Sequence, residues 1–329
     1  MKQIRWGILG TGSIASTYAE DSAHAPHAKI TAVGSRKQET AEAFAAKYGI
    51  DHAYGSYEEL VNSPCIDAVY IATPHSRHYA DALLALRAGK HVLCEKAFCI
   101  TAREAREMIE TAKNGSLYLC EAMWPRFQPA AEQVRAWISD GRIGKVTHVT
   151  AEYGFALDMN TANPRLFEPS CGGGSLLDLG VYPIALASFA FGGEAPKRIA
   201  SAGVKLPNGV DGAVSMALEY ATGTASLSCS FLATQASRAV IYGERGSITF
   251  SPWYLCPDSV TLHESGKDPV TVSTPHSGSG REFTLEQASL DILSGRRESR
   301  QIPLSETLTV MRICDTIRKQ IGVVYENDG

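Results

Sequence analysis

A carboxylate and a phenol stand four residues apart in CGGGSLLDLGVYPIALASFAF, residues 171–191, where Asp178 and Tyr182 interrupt an apolar run. If the run is helical, side chains four apart share a face, so both polar groups point one way while Leu176, Leu177, Leu179 and Ile184 pack elsewhere. Gly180 and Pro183 sit where a purely structural helix avoids them. Glycines 172 to 174 remove side chains beside the pair, leaving room for a cofactor or a flat sugar ring to approach the backbone. The pair is either part of a ligand site or a buried Asp–Tyr hydrogen bond inside a kinked helix.

A second constellation lies at the start of the chain. The apolar strand IRWGIL runs into Gly10-Thr11-Gly12-Ser13-Ile14-Ala15, which opens a helix and a strand-helix-strand unit. That context gives the Gly-x-Gly-x-x-Ala spacing its meaning as a dinucleotide fingerprint. Gly10 allows the tight turn, Gly12 lets the backbone approach a pyrophosphate, and the helix N-terminus supplies N–H donors to the anion. The alternative is a glycine-rich turn without a ligand. The next strand, KITAVG, ends in Ser35-Arg36-Lys37, with no carboxylate to hold a ribose 2′-hydroxyl. A hydroxyl followed by two cations suits a 2′-phosphate, which predicts NADP over NAD. The alternative is that Arg36 and Lys37 begin a solvated helix face.

Two further strand ends carry polar residues: Ala72-Thr73-Pro74-His75-Ser76-Arg77-His78 and Leu93-Cys94-Glu95-Lys96. Carboxyl ends of adjacent parallel strands are where such sheets place ligands. His75 and His78 have a spacing compatible with a metal, but no thiolate lies near them in sequence and the nearest carboxylate is the single Asp81. They are expected to cap the helix or line the cofactor crevice, and no metal site is predicted.

These turns require a sheet to hold them. Up to about residue 122, apolar runs (IRWGIL, KITAVG, DAVYIA, HVLCE, LYLCEA) alternate with helical patterns, the rhythm of a doubly wound parallel sheet in an α/β domain. Gly49, Gly89 and Gly115 fall where left-handed helix ends prefer glycine. After MWPRFQP the rhythm changes. One helix, AAEQVRAWISDG, precedes the strand KVTHVTAEYGF, and beyond the 171–191 run come KRIASAGVKL, AVSMALEY, TASLSCSFL, RAVIYGERGSITFS, SVTLHE and PVTVST. Strands in series predict a large, mostly antiparallel sheet in an α+β domain, closed by the amphipathic pair EFTLEQASLDILSG and LSETLTVMRICDTIRKQIG. The expected division is 1–122 and 123–329.

A chain of 329 residues is long enough for two domains, and its net charge of −4, without long basic runs, lacks the footprint of a nucleic-acid or anionic-membrane binder. Small molecules are the expected partners. No apolar run is read as approaching a membrane span, and the eight cysteines form no C-x-x-C pair. A cytoplasmic protein with reduced thiols is expected.

With GTGSIA, SRK, TPHSRH, EK and GGGSLLDLGVY in this order, the chain resembles the glucose-fructose oxidoreductase and inositol dehydrogenase family, Gfo/Idh/MocA, from Ile4 to the terminal helix. Glu121-Ala122-Met123-Trp124-Pro125-Arg126-Phe127 and the tyrosine ending GGGSLLDLGVY make it most similar to the dimeric dihydrodiol dehydrogenase branch, which includes NADP-dependent D-xylose dehydrogenases. The resemblance implies a Rossmann domain followed by an open-faced sheet, with the nicotinamide at the cleft between them and the sheet often used for dimerisation. It assigns Lys96 and Tyr182 to catalysis and Asp178 to the substrate side. It matches Gly10, Gly12, Ser35, Arg36, Thr73, Pro74, His78, Glu95 and Lys96 to cofactor-contacting positions, and Thr11, Ser13, Ile14, His75, Trp124 and Arg126 are further cofactor-site candidates. The family usually reads Glu-Lys-Pro, whereas this chain has Glu95-Lys96-Ala97.

The chemistry implied is hydride transfer between a nicotinamide and a secondary alcohol or a sugar's anomeric carbon. A base must take the hydroxyl proton as the hydride leaves, and Tyr182 is the candidate. Lowering a phenol from about 10 to about 7 needs roughly 4 kcal/mol. One ammonium about 4 Å away supplies about that much at an effective dielectric near 20, which is the role expected of Lys96. Trp124, Phe155 and Phe167 are candidate apolar walls for a ring-shaped substrate, with core packing the alternative for each.

Overall fold

Short apolar runs with both faces covered form the first sheet. In the computed structural model, which describes residues 2–328, they are β1 (Ile4–Leu9), β2 (Ala28–Gly34), β3 (His52–Tyr54), β4 (Ala68–Ile71), β5 (His91–Cys94) and β6 (Leu119–Glu121). All neighbours are parallel, in the order β3-β2-β1-β4-β5-β6. Every residue of β4 is buried, as expected for a sheet layered on both sides. The intervening helices are α1 (Ser13–Asp21), α2 (Gln38–Tyr48), α3 (Tyr57–Asn62), α4 (His75–Arg87) and α5 (Ala102–Asn114). Strand order reverses between β1 and β4, so the turns after these two strands diverge and leave the crevice in which such sheets bind ligands. The three-residue β3 had no sequence signal. After α5 the left-handed residue is Ser116, at φ 53°, rather than Gly115.

The chain forms two compact units, and their division is not a single cut. Residues 1–99, 103–127 and 276–307 make the first unit. The late segment joins it because α8 (Glu282–Leu293) lies against β1 and β2. There the fully buried Trp6 indole donates to Ser289 Oγ at 2.9 Å. Just before α8, the Asp21 carboxylate accepts from the Ser279 and Arg281 N–H groups and the Ser279 hydroxyl.

The second unit comprises residues 100–102, 128–275 and 308–329. Its strands are β7 (Val146–Gly154), β8 (Arg198–Lys205), β9 (Asp211–Glu219), β10 (Thr224–Ser230), β11 (Ala239–Gly243), β12 (Gly246–Phe250), β13 (Ser259–Glu264) and β14 (Val270–Ser273). They form one eight-stranded sheet, β14-β13-β12-β11-β7-β10-β9-β8, antiparallel except where β7 and β10 run parallel. The segment read as one strand, RAVIYGERGSITFS, is the β11–β12 hairpin. Alternation is clean in the middle of the sheet: Val149, Ala151, Val214, Met216, Ala225 and Leu227 point inward and are buried, while Ser215, Ala217 and Ser226 are exposed. Helices α6 (Pro129–Ser139) and α7 (Val181–Ala190) cover the inner face. Of α9 (Leu304–Ile321), all but the first turn belongs to this unit. One run, Pro169–Ala190, is long and apolar enough to cross a membrane, contrary to the expectation from sequence, but 89% of its apolar window is buried inside the unit. Its composition is that of a core helix.

Candidate active site

The residues singled out in the sequence form two sets, one on each unit. On the six-stranded sheet they follow β1, β2, β4 and β5. Gly10 has a φ of 109°, and a Cβ there would lie 3.0 Å from the Ala72 carbonyl oxygen, so only glycine fits. Gly12 differs. Its φ of −79° suits any residue, and a Cβ there would meet nothing within 4 Å. Open space beside the N-terminus of α1 is what a pyrophosphate requires, and Gly12 and Ser13 are exposed there with Thr11 and Ile14 half-exposed. This cradle fits a dinucleotide.

Beyond β2, Ser35 is buried with its N–H on the Tyr54 carbonyl at 3.0 Å, while Arg36 and Lys37 are exposed. Burial pushes the Tyr57 phenol up, and the fields of Arg36 and Arg77 pull it down. Arg77 was not singled out by sequence. It is exposed at the start of α4 and pairs with the buried Asp81 at 2.6 Å.

The turn after β4 is tightly organised. Pro74 caps α4, and the Thr73 hydroxyl donates to Asp81 at 2.8 Å. His75 is nearly buried, its ring edge-on to His78 at 5.7 Å. His78 is completely buried, with Nε2 2.8 Å from the Thr73 carbonyl and Nδ1 2.7 Å from the Ala97 carbonyl. Both ring nitrogens therefore face the chain's own backbone.

After β5, Glu95 is buried and accepts from the Tyr70 hydroxyl at 2.7 Å and from the Lys96 N–H at 3.2 Å. Burial raises its carboxyl, while Tyr70, Lys96 and Arg281 oppose the rise. Lys96 is half-exposed, and the Lys96–Ala97 peptide is cis.

Trp124 is nearly buried under the Arg281 guanidinium, 4.4 Å from its ring. Arg126 is also buried. Its guanidinium engages both carboxylate oxygens of Glu306 and the Gln301 carbonyl, a built-in pairing within the unit.

On the second unit, Leu176–Gly180 is a π-helical turn that continues into α7, which begins at Val181. Such turns interrupt the ordinary ladder, so Pro183 near the start of α7 is accommodated without a broken helix. Gly180 is required by packing, since a Cβ there would lie 2.9 Å from Cys229 Sγ.

The glycines before it do something other than expected. A Cβ on Gly173 would strike the Leu166 carbonyl, and Gly174, at φ 118°, lies against the Asp211 carboxylate. They admit the chain's own atoms rather than a ligand. Asp211, fully buried, accepts from the Ser175 hydroxyl at 2.7 Å and from the Leu176 N–H at 2.6 Å, and the Tyr325 hydroxyl donates to the Gly173 carbonyl.

Held in this way, Asp178 lies 3.5 Å from the Arg165 guanidinium. The Tyr182 ring sits edge-on to Tyr153, with centroids 5.6 Å apart. Tyr153 also meets Phe155 at 5.0 Å, and its hydroxyl accepts from the Trp253 indole at 3.3 Å. Phe155 and Trp253 are each 39% exposed, so this aromatic group has an open side. Phe167 packs on Phe231 as core. Arg165, Tyr153 and Trp253 were missed in the sequence. Tyr153 is one more inward residue of an alternating strand, and nothing local marks the other two.

Similarity to known proteins matches this architecture. Residues 4–121 match the oxidoreductase family with NAD-binding Rossmann fold, and residues 131–249 match the GFO/IDH/MocA C-terminal domain. The trans-1,2-dihydrobenzene-1,2-diol dehydrogenase of Danio rerio is 34% identical over 99% of both chains. Among solved structures, the aldose-aldose oxidoreductase from Caulobacter crescentus complexed with glycerol superposes with a TM-score of 0.87 at 24% identity, over 97% of each chain. A 3-ketoreductase from Actinomadura kijaniata in complex with NADP and TDP-benzene gives 0.83 at 24% identity, over 97% of this chain and 98% of that one.

Proposed function

From membership of the GFO/IDH/MocA oxidoreductase family, to which this chain belongs, we propose that it is an NADP-dependent enzyme that interconverts a secondary alcohol and a carbonyl on a sugar, polyol or dihydrodiol. The observation that carries this is the set of turns after β1, β2, β4 and β5: a cradle open at Gly12, a hydroxyl and exposed cations at Ser35 to Lys37, and Lys96, all along the carboxyl edge of one parallel sheet.

A bound nicotinamide supplies or accepts the hydride. In the oxidative direction Tyr182 Oη takes the proton from the substrate hydroxyl as the C–H electron pair departs, and returns one in reduction. Lys96 Nζ donates to the developing alkoxide as its electrostatic partner. Asp178, its charge balanced by Arg165, orients a substrate hydroxyl. Phe155 offers a ring surface that suits an aromatic diol or the apolar face of a sugar, with Trp124 as the wall expected on the cofactor side. Gly10, Thr11, Gly12, Ser13 and Ile14 receive the pyrophosphate, and Ser35 and Arg36 the 2′-phosphate. Thr73, Pro74, His75, His78 and Glu95 shape the crevice from below.

The outer face of the eight-stranded sheet, a shallow hollow of about 730 Å³ among Thr150, Ala202, Ser215, Ala217, Ser226 and Ser228, suits a second copy of the chain in a homodimer. A cytoplasmic location goes with this reading.

The test is a panel of aldoses, polyols, diols and dicarbonyls followed at the nicotinamide absorbance with both cofactors. Turnover with NADP well above that with NAD supports the proposal. Tight NADPH binding with no carbonyl reduced would point instead to a non-catalytic sensor.

A further inference from the structure

Within the first unit His78, one of the residues that line the proposed crevice, transfers no proton and supplies no charge in the proposed reaction. Its ring is completely buried, and both nitrogens lie within hydrogen-bond distance of backbone carbonyl oxygens: Nε2 to Thr73 at 2.8 Å and Nδ1 to Ala97 at 2.7 Å. A carbonyl oxygen only accepts. A neutral imidazole has one N–H and one bare nitrogen, so in either tautomer one contact would set a lone pair against a lone pair at bonding distance. With both nitrogens protonated, each contact becomes a charge-assisted hydrogen bond.

We propose that His78 is an imidazolium that ties the turn after β4 to the turn after β5 and thereby positions Lys96. The two carbonyls belong to Thr73, the second residue past β4, and to Ala97, the residue after Lys96. Lys96 is thus held on both sides: its own N–H donates to Glu95 Oε2, and the following carbonyl accepts from His78. The ionisable groups on the surrounding elements carry both signs, with Arg77 and Lys96 as cations. On α4 they are His75, Arg77 and the buried Asp81; on α3, Tyr57 and Glu58; on β5 and its turn, Cys94, Glu95 and Lys96. Three of these are carboxylates. The protonation state of His78 stands apart from the proposed reaction, whereas its effect on Lys96 rests on that proposal.

The decisive measurement is nitrogen NMR of the full-length protein carrying isotope-labelled histidine, with His78 assigned through its contacts to Thr73 and Ala97. A free histidine is mostly neutral above about pH 7.5. Both His78 nitrogens are expected to carry protons at about pH 8, with no titration between about pH 6 and pH 8; a bare ring nitrogen at the upper pH overturns the proposal.

The positioning role is read from His78→Gln. Turnover is expected to fall about tenfold with a displaced pH profile. A loss of melting temperature with an unmoved pH profile would reduce His78 to a structural part. Should the variant not fold, the spectrum of the unsubstituted protein still decides the protonation state. Should no substrate be turned over, the proposed reaction fails while the spectrum again decides this inference.

Discussion

The strand-end turns of the first unit and the helical run of the second are built in opposite ways. At Gly12 and Ser13 the useful feature is exposed backbone at the start of a helix, a local signal, and only the buried Gly10 is pressed by a distant group, the Ala72 carbonyl. Around Asp178 and Tyr182 the backbone is buried and held from far along the chain, by Asp211 on Ser175 and Leu176, and by Tyr325 on Gly173. A ligand cradle can be encoded locally. A buried, polar-bearing helix needs distant partners to satisfy its turn, because an unpaired buried N–H is costly.

Substitution at the proposed acid/base pair tests this contrast most severely. Tyr182→Phe and Lys96→Met should each lower turnover by about two orders of magnitude or more while leaving NADPH affinity nearly intact. Steady-state kinetics with fluorescence titration of NADPH would show it, and unchanged turnover would remove that residue from the mechanism.

Next in size is the distant support of the helical run. Asp211→Ala leaves the buried Ser175 hydroxyl and Leu176 N–H without their acceptor, at an expected cost of about 3 kcal/mol in urea denaturation. A loss below about 0.5 kcal/mol would mean that the GGGS turn is held by local geometry after all.

The first unit carries a pH-dependent counterpart. Glu121, at the end of β6, is buried; its Oε2 accepts from Thr307 at 3.0 Å, and its Oε1 has no hydrogen-bond partner among the described residues. Burial pushes its carboxyl up to about 7. The folded state therefore keeps a proton that the unfolded chain has released, so this group's contribution is fully present below about pH 4.5 and is lost as pH rises through 7. Between about pH 5 and pH 8 the loss is on the order of 2 kcal/mol. Glu121→Gln should flatten that slope and raise the melting temperature at the upper pH; an unchanged slope would show that another group carries it.

The smallest effect concerns cofactor choice. Arg36→Ala should weaken NADP by about tenfold and leave NAD nearly unaffected. Equal losses for both would contradict the 2′-phosphate role, and an additional selective loss in Arg77→Ala would extend that site to the start of α4.

Much of the first unit was legible because apolar strands, glycine turns and helix patterns are local signals. The parallel sheet and the turns at Gly10, Ser35, Thr73 and Glu95 follow from them. The return of residues 276–307 to that unit was not legible, since an amphipathic helix pattern does not name the surface it will cover. In the second unit, serial strands foretold an antiparallel sheet but not the parallel β7–β10 pair, which joins strands far apart in sequence. The glycines at 173 and 174 signalled a close approach without saying to what. The nearest atoms belong to Leu166 and Asp211.

By itself the sequence determined the alternation of elements, the turn chemistry at each strand end and the residue types able to carry a hydride enzyme, because these depend on neighbours in the chain. Tertiary structure alone decided that Asp211 and Tyr325 hold the run bearing Tyr182, that Tyr153 and Trp253 stand beside it, and that both nitrogens of His78 meet carbonyls. Burial and hydrogen-bond pairing are properties of three-dimensional neighbours, and periodicity along a chain does not identify those.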